Sequence, residues 1–212
     1  MITLETSLAT ADGQTLEARW DNPEGVASGT VVLCHPHPLQ SGTMRAPLMD
    51  QVTEGLVERG LSVLRFNFRG VGSSSGTHDF GRDELHDIDA AWAAATQDRS
   101  GPFGLAGWSF GAATSLVWIA GTGLAVPWVG IAPPVKGERS PALPTELPPA
   151  PRTFIIGDRD QFTTVAEMRE YAQQVSGVVE VIKGSDHFFY FRERIVANLM
   201  ADTLQTPAAG SA

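Results

Sequence analysis

The sequence predicts an α/β fold: a mostly parallel, twisted sheet with helices on both faces and an antiparallel lead. Three observations carry that expectation. From residue 29 onwards, short apolar runs alternate with stretches of helical period. Gly29–Cys34 and Pro102–Trp108 are near-continuous apolar runs, as strands buried on both faces require. Before them, Thr3–Leu8 and Thr15–Trp20 flank Ala11-Asp12-Gly13, a hairpin turn signal.

The elements follow in order. After the hairpin and the Gly29–Cys34 strand, residues 46–59 read as a helix with Leu48, Met49, Val52 and Leu56 on one face. Leu61–Phe68 is a strand, and a glycine- and serine-rich loop runs from Gly70 to Gly76. Its G-x-G-x-x-x-G spacing and the absence of a following lysine make it a tight turn rather than a phosphate-binding loop. Residues 82–97 form a helix with Leu85, Ile88 and Trp92 inward. Pro102–Trp108 is a strand, Ser109–Ala120 a helix of small and aliphatic residues, and Val126–Ile131 a strand. The proline-rich stretch 133–151 fits neither helix nor central strand and reads as an irregular excursion. Thr153–Ile156 is a strand, and 165–175 a helix opened by a capping box of Thr164 and Glu167. Val178–Ile182 is the last strand, and Phe191, Ile195, Val196, Leu199 and Leu204 mark the apolar face of the last helix. One domain is expected over 1–204, with 205–212 a disordered tail.

Composition narrows the function. The chain has 212 residues, 42% apolar and 18% charged, with a formal charge of −9. That balance argues against a nucleic-acid partner, because nothing neutralises a run of phosphates. Met1–Gly13 lacks the basic start and apolar run of a signal peptide. No stretch approaches the roughly 18 consecutive apolar residues of a membrane span. Cys34 is the only cysteine, so neither a disulfide within the chain nor a cysteine-based zinc cluster is expected. These readings predict a soluble, cytoplasmic protein with no membrane partner. They leave the oligomeric state open.

In an open α/β sheet, chemistry gathers at the carboxyl ends of the strands. Gly107-Trp108-Ser109-Phe110-Gly111 falls there, between a buried strand and a helix. A nucleophile elbow needs a serine on a strained turn, small neighbours two residues either side, and a helix N-terminus near the developing oxyanion. Ser109 is therefore the candidate nucleophile.

A serine hydroxyl needs a base. Of the five histidines, only His187 lies beyond the last strand, in Gly184-Ser185-Asp186-His187-Phe188-Phe189, and it is the candidate base. His78 and His86 read as a loop residue and a solvated helix residue. The acid that orients the imidazole is expected between Ser109 and His187 in the chain, where two aspartates stand at a strand end: Asp158 and Asp160. Asp158 comes straight off the strand, where a turn aspartate often bonds local backbone. Asp160 lies further into the loop and is preferred. Backbone N–H donors for the oxyanion are expected from Phe110 and from His35-Pro36-His37-Pro38-Leu39. Proline has no N–H, which leaves His37, with Leu39 behind it. His35 and His37 as metal ligands lack a clear third partner, so no metal is expected.

Together these segments resemble one family. They are Cys-His-Pro-His-Pro-Leu at 34–39, Arg-Phe-Asn-Phe-Arg-Gly-Val-Gly at 65–72, Gly-Trp-Ser-Phe-Gly at 107–111, Ala-Pro-Pro-Val at 132–135, Gly-Asp-Arg-Asp at 157–160 and Asp-His-Phe-Phe at 186–189. The chain is similar, over about residues 29–196, to the small capless bacterial α/β-hydrolases related to dienelactone hydrolases and short-chain carboxylesterases. The resemblance implies the α/β-hydrolase fold without a large cap domain. It also implies Ser109 as nucleophile, His187 as base and, through the G-x-x-D turn, Asp160 as acid. Gln161-Phe162-Thr163 replaces the small aliphatic residues usual in the family, so the pocket is expected to differ. True dienelactone hydrolases usually carry a cysteine nucleophile, and their substrate does not carry over.

The expected activity is cleavage of a small-molecule carboxylic ester, with a short acyl chain, no cofactor and a shallow site. Leu39, Trp108, Phe162 and Phe188 are expected at the pocket, with the 133–151 excursion as a wall. A thioesterase or small peptidase would use the same triad, and a binding protein with a silent site is the alternative outside enzymes.

Overall fold

The N-terminal residues pair as β1 (Ile2–Ala9) and β2 (Thr15–Asn22), antiparallel in register from Ile2 opposite Asn22 to Ala9 opposite Thr15. The turn between them closes on side chains: the Gln14 N–H donates to Thr10 Oγ1 at 2.8 Å, and Gly13 takes φ 86°. The computed structural model describes residues 1–99, 101–137 and 139–206.

From there strands and helices alternate. They run β3 (Gly29–Cys34), α1 (Pro47–Glu58), β4 (Leu61–Phe66), α2 (Glu84–Asp98), β5 (Phe103–Trp108) and α3 (Phe110–Thr122). β6 (Trp128–Ile131), β7 (Arg152–Gly157), α4 (Val165–Gln174), β8 (Val178–Ile182) and α5 (Glu193–Leu204) complete the order. All strands join one eight-stranded sheet of order β1-β2-β4-β3-β5-β6-β7-β8. β2 meets β4 antiparallel, and every pairing from β4 to β8 is parallel.

The strand pleat sorts the core into two layers, because successive side chains point to opposite faces. Val32 and Cys34 of β3, Phe66 of β4, Leu105 of β5 and Phe154 of β7 pack with Ile88 of α2, Leu116 of α3 and Met168 of α4. Val31 and Leu33, Val63, Ala106 and Ile155 pack on the other side with Met49 and Val52 of α1 and Val196 and Met200 of α5. Both faces are therefore covered, which is why β3, β4 and β7 are buried along their whole length. The capping box of α4 forms as expected: Thr164 Oγ1 accepts from the Glu167 N–H, and the Glu167 carboxylate accepts from the Thr164 N–H at 3.0 Å.

The last helix corrects the sequence reading. Phe191 is 89% exposed and precedes α5, and Ile195 is exposed as well. After β8 the chain turns through Phe189 and Phe191, both at positive φ, before a helix begins at Glu193. Val196 and Leu204 are buried as expected and Leu199 packs half-buried against the same core, while Ala197, Met200 and Ala201 complete the stripe. Ala197 sits there because α1 comes close: a Cβ on Gly55 would stand 2.5 Å from the Ala197 Cβ.

The turn Gly70–Gly76 is structural, with Gly70, Gly72 and Gly76 all at positive φ. It carries Arg69, whose buried guanidinium contacts Asp87 at 2.7 Å and Asp12 at 2.8 Å. Arg65 of β4 is equally buried and meets Asp21 at 2.7 Å. Of the expected tail, Gln205 and Thr206 still bond back to Ala201 and Thr203, and 207–212 lie outside the described residues. Among the described residues, no helix is long and apolar enough to cross a membrane.

Candidate active site

The loops after β3, β5, β6, β7 and β8 meet at the carboxyl edge of the sheet, and each contributes to one site. Ser109 stands between β5 and α3 at φ 53°, ψ −116°. A non-glycine residue held there costs about 1–3 kcal/mol and persists only where its surroundings fix it. Here the Ser109 N–H donates to the Ile131 carbonyl at 2.8 Å, and its carbonyl accepts from the Ala113 N–H at 3.0 Å.

The flanking glycines are required by contact. A Cβ at Gly107 would stand 2.5 Å from Ala112 N, and one at Gly111 would stand 2.5 Å from the Cys34 carbonyl oxygen. The sharp turn thus presses α3 against both β5 and β3.

His187 and Asp160 arrive from the loops after β8 and β7. His187 Nδ1 lies 2.8 Å from Asp160 Oδ2 in hydrogen-bond geometry. The other carboxylate oxygen accepts from the N–H groups of Phe162 at 2.8 Å and Thr163 at 3.0 Å, which fixes its plane. Both side chains are nearly buried. A carboxylate only accepts, so this contact places a proton on Nδ1 and leaves Nε2 as the ring nitrogen not engaged by Asp160. Asp158 does different work: its exposed carboxylate accepts from the Gly184 N–H at 2.6 Å and ties the two loops together. Gly157 allows the same approach, since a Cβ there would overlap the Ser185 carbonyl.

The loop after β3 is built on two histidines. His35 is fully buried; its Nδ1 faces the Pro36 carbonyl at 2.6 Å and its Nε2 accepts from the Phe68 N–H at 2.9 Å. Burial pushes its pKa down to about 3, so the ring is neutral and serves as a strut. His37 Nδ1 accepts from the Leu39 N–H at 3.2 Å, which occupies that donor. The His37 and Phe110 N–H groups, by contrast, donate to no acceptor among the described residues. His37 is also held below the usual histidine value, first by burial and then by the neighbouring His78. Cys34 is buried and its thiol is pushed well up by the same desolvation. It offers no thiolate.

His37, Ser109, Phe162 and His187 line one cavity of about 410 Å³. The Ser109 hydroxyl makes no hydrogen bond with a described residue. The segment after β6 supplies much of the remaining wall, through Pro134, Lys136, Arg139 and Ser140. Of the four side chains expected at the pocket, Phe162 lines it and stacks edge-on to His187, their ring centres 4.6 Å apart. The other three lie elsewhere. Trp108 points down from β5, buried, and donates its indole N–H to the His187 carbonyl. Leu39 is 69% exposed on a single turn of 3-10 helix, and Phe188 packs edge-on against Trp108 on the outer side.

One feature escaped the sequence reading. The His78 side chain is buried, its Nδ1 2.6 Å from the Glu84 carboxylate, and its ring packs on His37 and Phe110. Its only signal was a carboxylate six residues away at a helix start.

Residues 28–209 match the family model for an alpha/beta hydrolase domain. The chain belongs to the α/β-hydrolase family. Within that family, a solved serine hydrolase homologue from Coxiella burnetii is 32% identical with a TM-score of 0.82, covering 96% of this chain and 98% of its own. A Xanthomonas campestris α/β serine hydrolase, described as lacking a lid, is 28% identical at the same TM-score, with 97% of each chain covered. An uncharacterised Rickettsia prowazekii protein is 27% identical over 201 residues, 90% of this chain and 84% of its own. Among the described residues of this chain, the longest excursion between elements is the proline-rich segment between β6 and β7.

Proposed function

We propose that this protein is a serine carboxylesterase acting on small esters with a short acyl chain, through Ser109, His187 and Asp160. The observation that carries the reading is the Asp160-oriented His187, which shares one cavity wall with a serine in a strained elbow.

The chemistry follows from the roles. With Nδ1–H given to Asp160, His187 Nε2 takes the Ser109 proton as Oγ attacks the ester carbonyl. The Ser109–His187 hydrogen bond forms when substrate docks, as catalytic contacts commonly become aligned only in the complex. The tetrahedral oxyanion sits between the Phe110 N–H at the start of α3 and the His37 N–H, both still unspent. His187 then protonates the leaving alcohol, and water repeats the sequence on the acyl-enzyme. Every proton is accounted for without a cofactor. The cavity volume lies near the lower end for small-molecule sites, which suits a short acyl chain. The lone cysteine fits a reducing, cytoplasmic setting.

The test is hydrolysis of p-nitrophenyl acetate, butyrate and octanoate by wild type and Ser109→Ala. The reading expects rates that fall with chain length and vanish in the mutant. Equal rates in both proteins would remove Ser109 as nucleophile.

A further inference from the structure

The cavity wall has a sign. The chain carries a formal charge of −9, yet among the described residues no carboxylate lines the cavity, while Lys136 and Arg139 do. Lys136 is already engaged by Glu167 at 2.9 Å on α4. Arg139 has no carboxylate within ion-pair distance among the described residues, unlike Arg65, Arg69 and Arg45, which all do. Arg139 stands on the wall of the same cavity as His37 and Ser109, and its charge opposes protonation of the His37 ring. The Asp160 carboxylate is already engaged by His187 Nδ1 and by the Phe162 and Thr163 N–H groups.

From this we propose that the preferred substrate is an ester bearing a carboxylate within a few bonds of the scissile group, gripped by Arg139. The proposal rests on the ester-hydrolase reading above. Arginine suits the task because its planar fork matches a carboxylate with two parallel hydrogen bonds. A cationic wall in an acidic protein also concentrates anions at the mouth. Phe162 and Pro134 supply the apolar surface for the linker between carboxylate and ester. Lys136 adds to the field, and Glu167 and Glu170 temper it.

The experiment uses matched pairs. Monomethyl glutarate against methyl valerate places the charge on the acyl side; 4-acetoxybenzoate against 4-methylphenyl acetate places it on the alcohol side. The expected result is a kcat/KM about five- to tenfold higher for the charged member in one arm, carried mainly by KM. Arg139→Gln should abolish that ratio, Arg139→Glu should invert it, and about 0.5 M salt should shrink it. Calorimetric binding of monomethyl glutarate to Ser109→Ala, which cannot turn it over, reads the same contact without catalysis. There Arg139→Gln should weaken binding by a similar factor. Neutral esters cleaved through Ser109 with no charge preference in either arm would overturn the anion site and leave the hydrolase reading intact. Arg139-dependent binding without any hydrolysis would do the reverse.

Discussion

Two buried histidines in this protein stand beside carboxylates, His187 with Asp160 at 2.8 Å and His78 with Glu84 at 2.6 Å, and they differ in what surrounds them. The His187 pair has hydrogen-bond geometry, and the ring's other nitrogen belongs to a side chain lining the cavity that holds Ser109. His78 is walled in by the rings of His37, Phe80 and Phe110, and neither of its nitrogens has a hydrogen-bond partner among the described residues. The Glu84 oxygens are spent instead on the N–H groups of Asp79 at 2.9 Å and Gly81 at 2.8 Å. A histidine–carboxylate contact therefore says little by itself. The nucleophile in front of it and the line of the hydrogen bond decide its use.

Breaking each pair should separate the roles. His187→Ala should lower kcat/KM on p-nitrophenyl butyrate by about 10⁴-fold or more, whereas His78→Ala should cost less than about tenfold. Comparable losses in the two mutants would erase the distinction. Within the first pair, Asp160→Asn should cost about 10³–10⁴ in kcat, because the amide no longer holds the required tautomer. Asp158→Asn should leave kcat within about tenfold and instead loosen the loop that it ties to Gly184, measurable as a lower melting temperature.

The strut behind both pairs makes stability depend on pH. His35 stays neutral in the fold, with a pKa near 3 against an ordinary 6.5, because burial disfavours its charge. Protonation therefore favours the unfolded chain. The stability this group contributes is complete above about pH 6.5 and is lost progressively as pH falls toward 3. His35→Ala should destabilise by about 2–4 kcal/mol in urea titrations at pH 7, by stranding the Phe68 N–H and the Pro36 carbonyl. It should also flatten that acid dependence.

Glu84→Gln comes next, at about 1–3 kcal/mol, since an amide has one acceptor oxygen for two N–H groups. The smallest effect belongs to Asp12→Asn. Arg69 holds the Asp12 carboxyl down to about 2, so its contribution is present above the ordinary value near 3.8 and lost as pH falls through 2. The group is partly exposed and screened, which limits the change to under about 1 kcal/mol.

What the sequence made legible was whatever is local. The alternation of strand and helix, the Thr164–Glu167 box and the glycines around Ser109 depend on neighbours a few residues away, so pattern and spacing reach them. The buried charges were not legible. Arg65 meets Asp21 across 44 residues and Arg69 meets Asp12 across 57, and a lone arginine in a strand pattern reads as an exposed edge until its partner is known. The pocket was half legible for the same reason. The segment after β6 had to lie at the carboxyl edge, but that it turns Lys136 and Arg139 into the cavity is a property of the folded loop. Trp108 and Phe188 misled because an aromatic beside a catalytic motif can equally pack beneath it, and both lie against the His187 loop.

The central claim, that Ser109 is an activated nucleophile, is tested most directly by reacting the protein with a fluorophosphonate and reading intact mass and peptide map. The account predicts one adduct per chain, on Ser109, that disappears in Ser109→Ala and slows sharply in His187→Ala. An adduct on another residue, or equal labelling of wild type and Ser109→Ala, would contradict it.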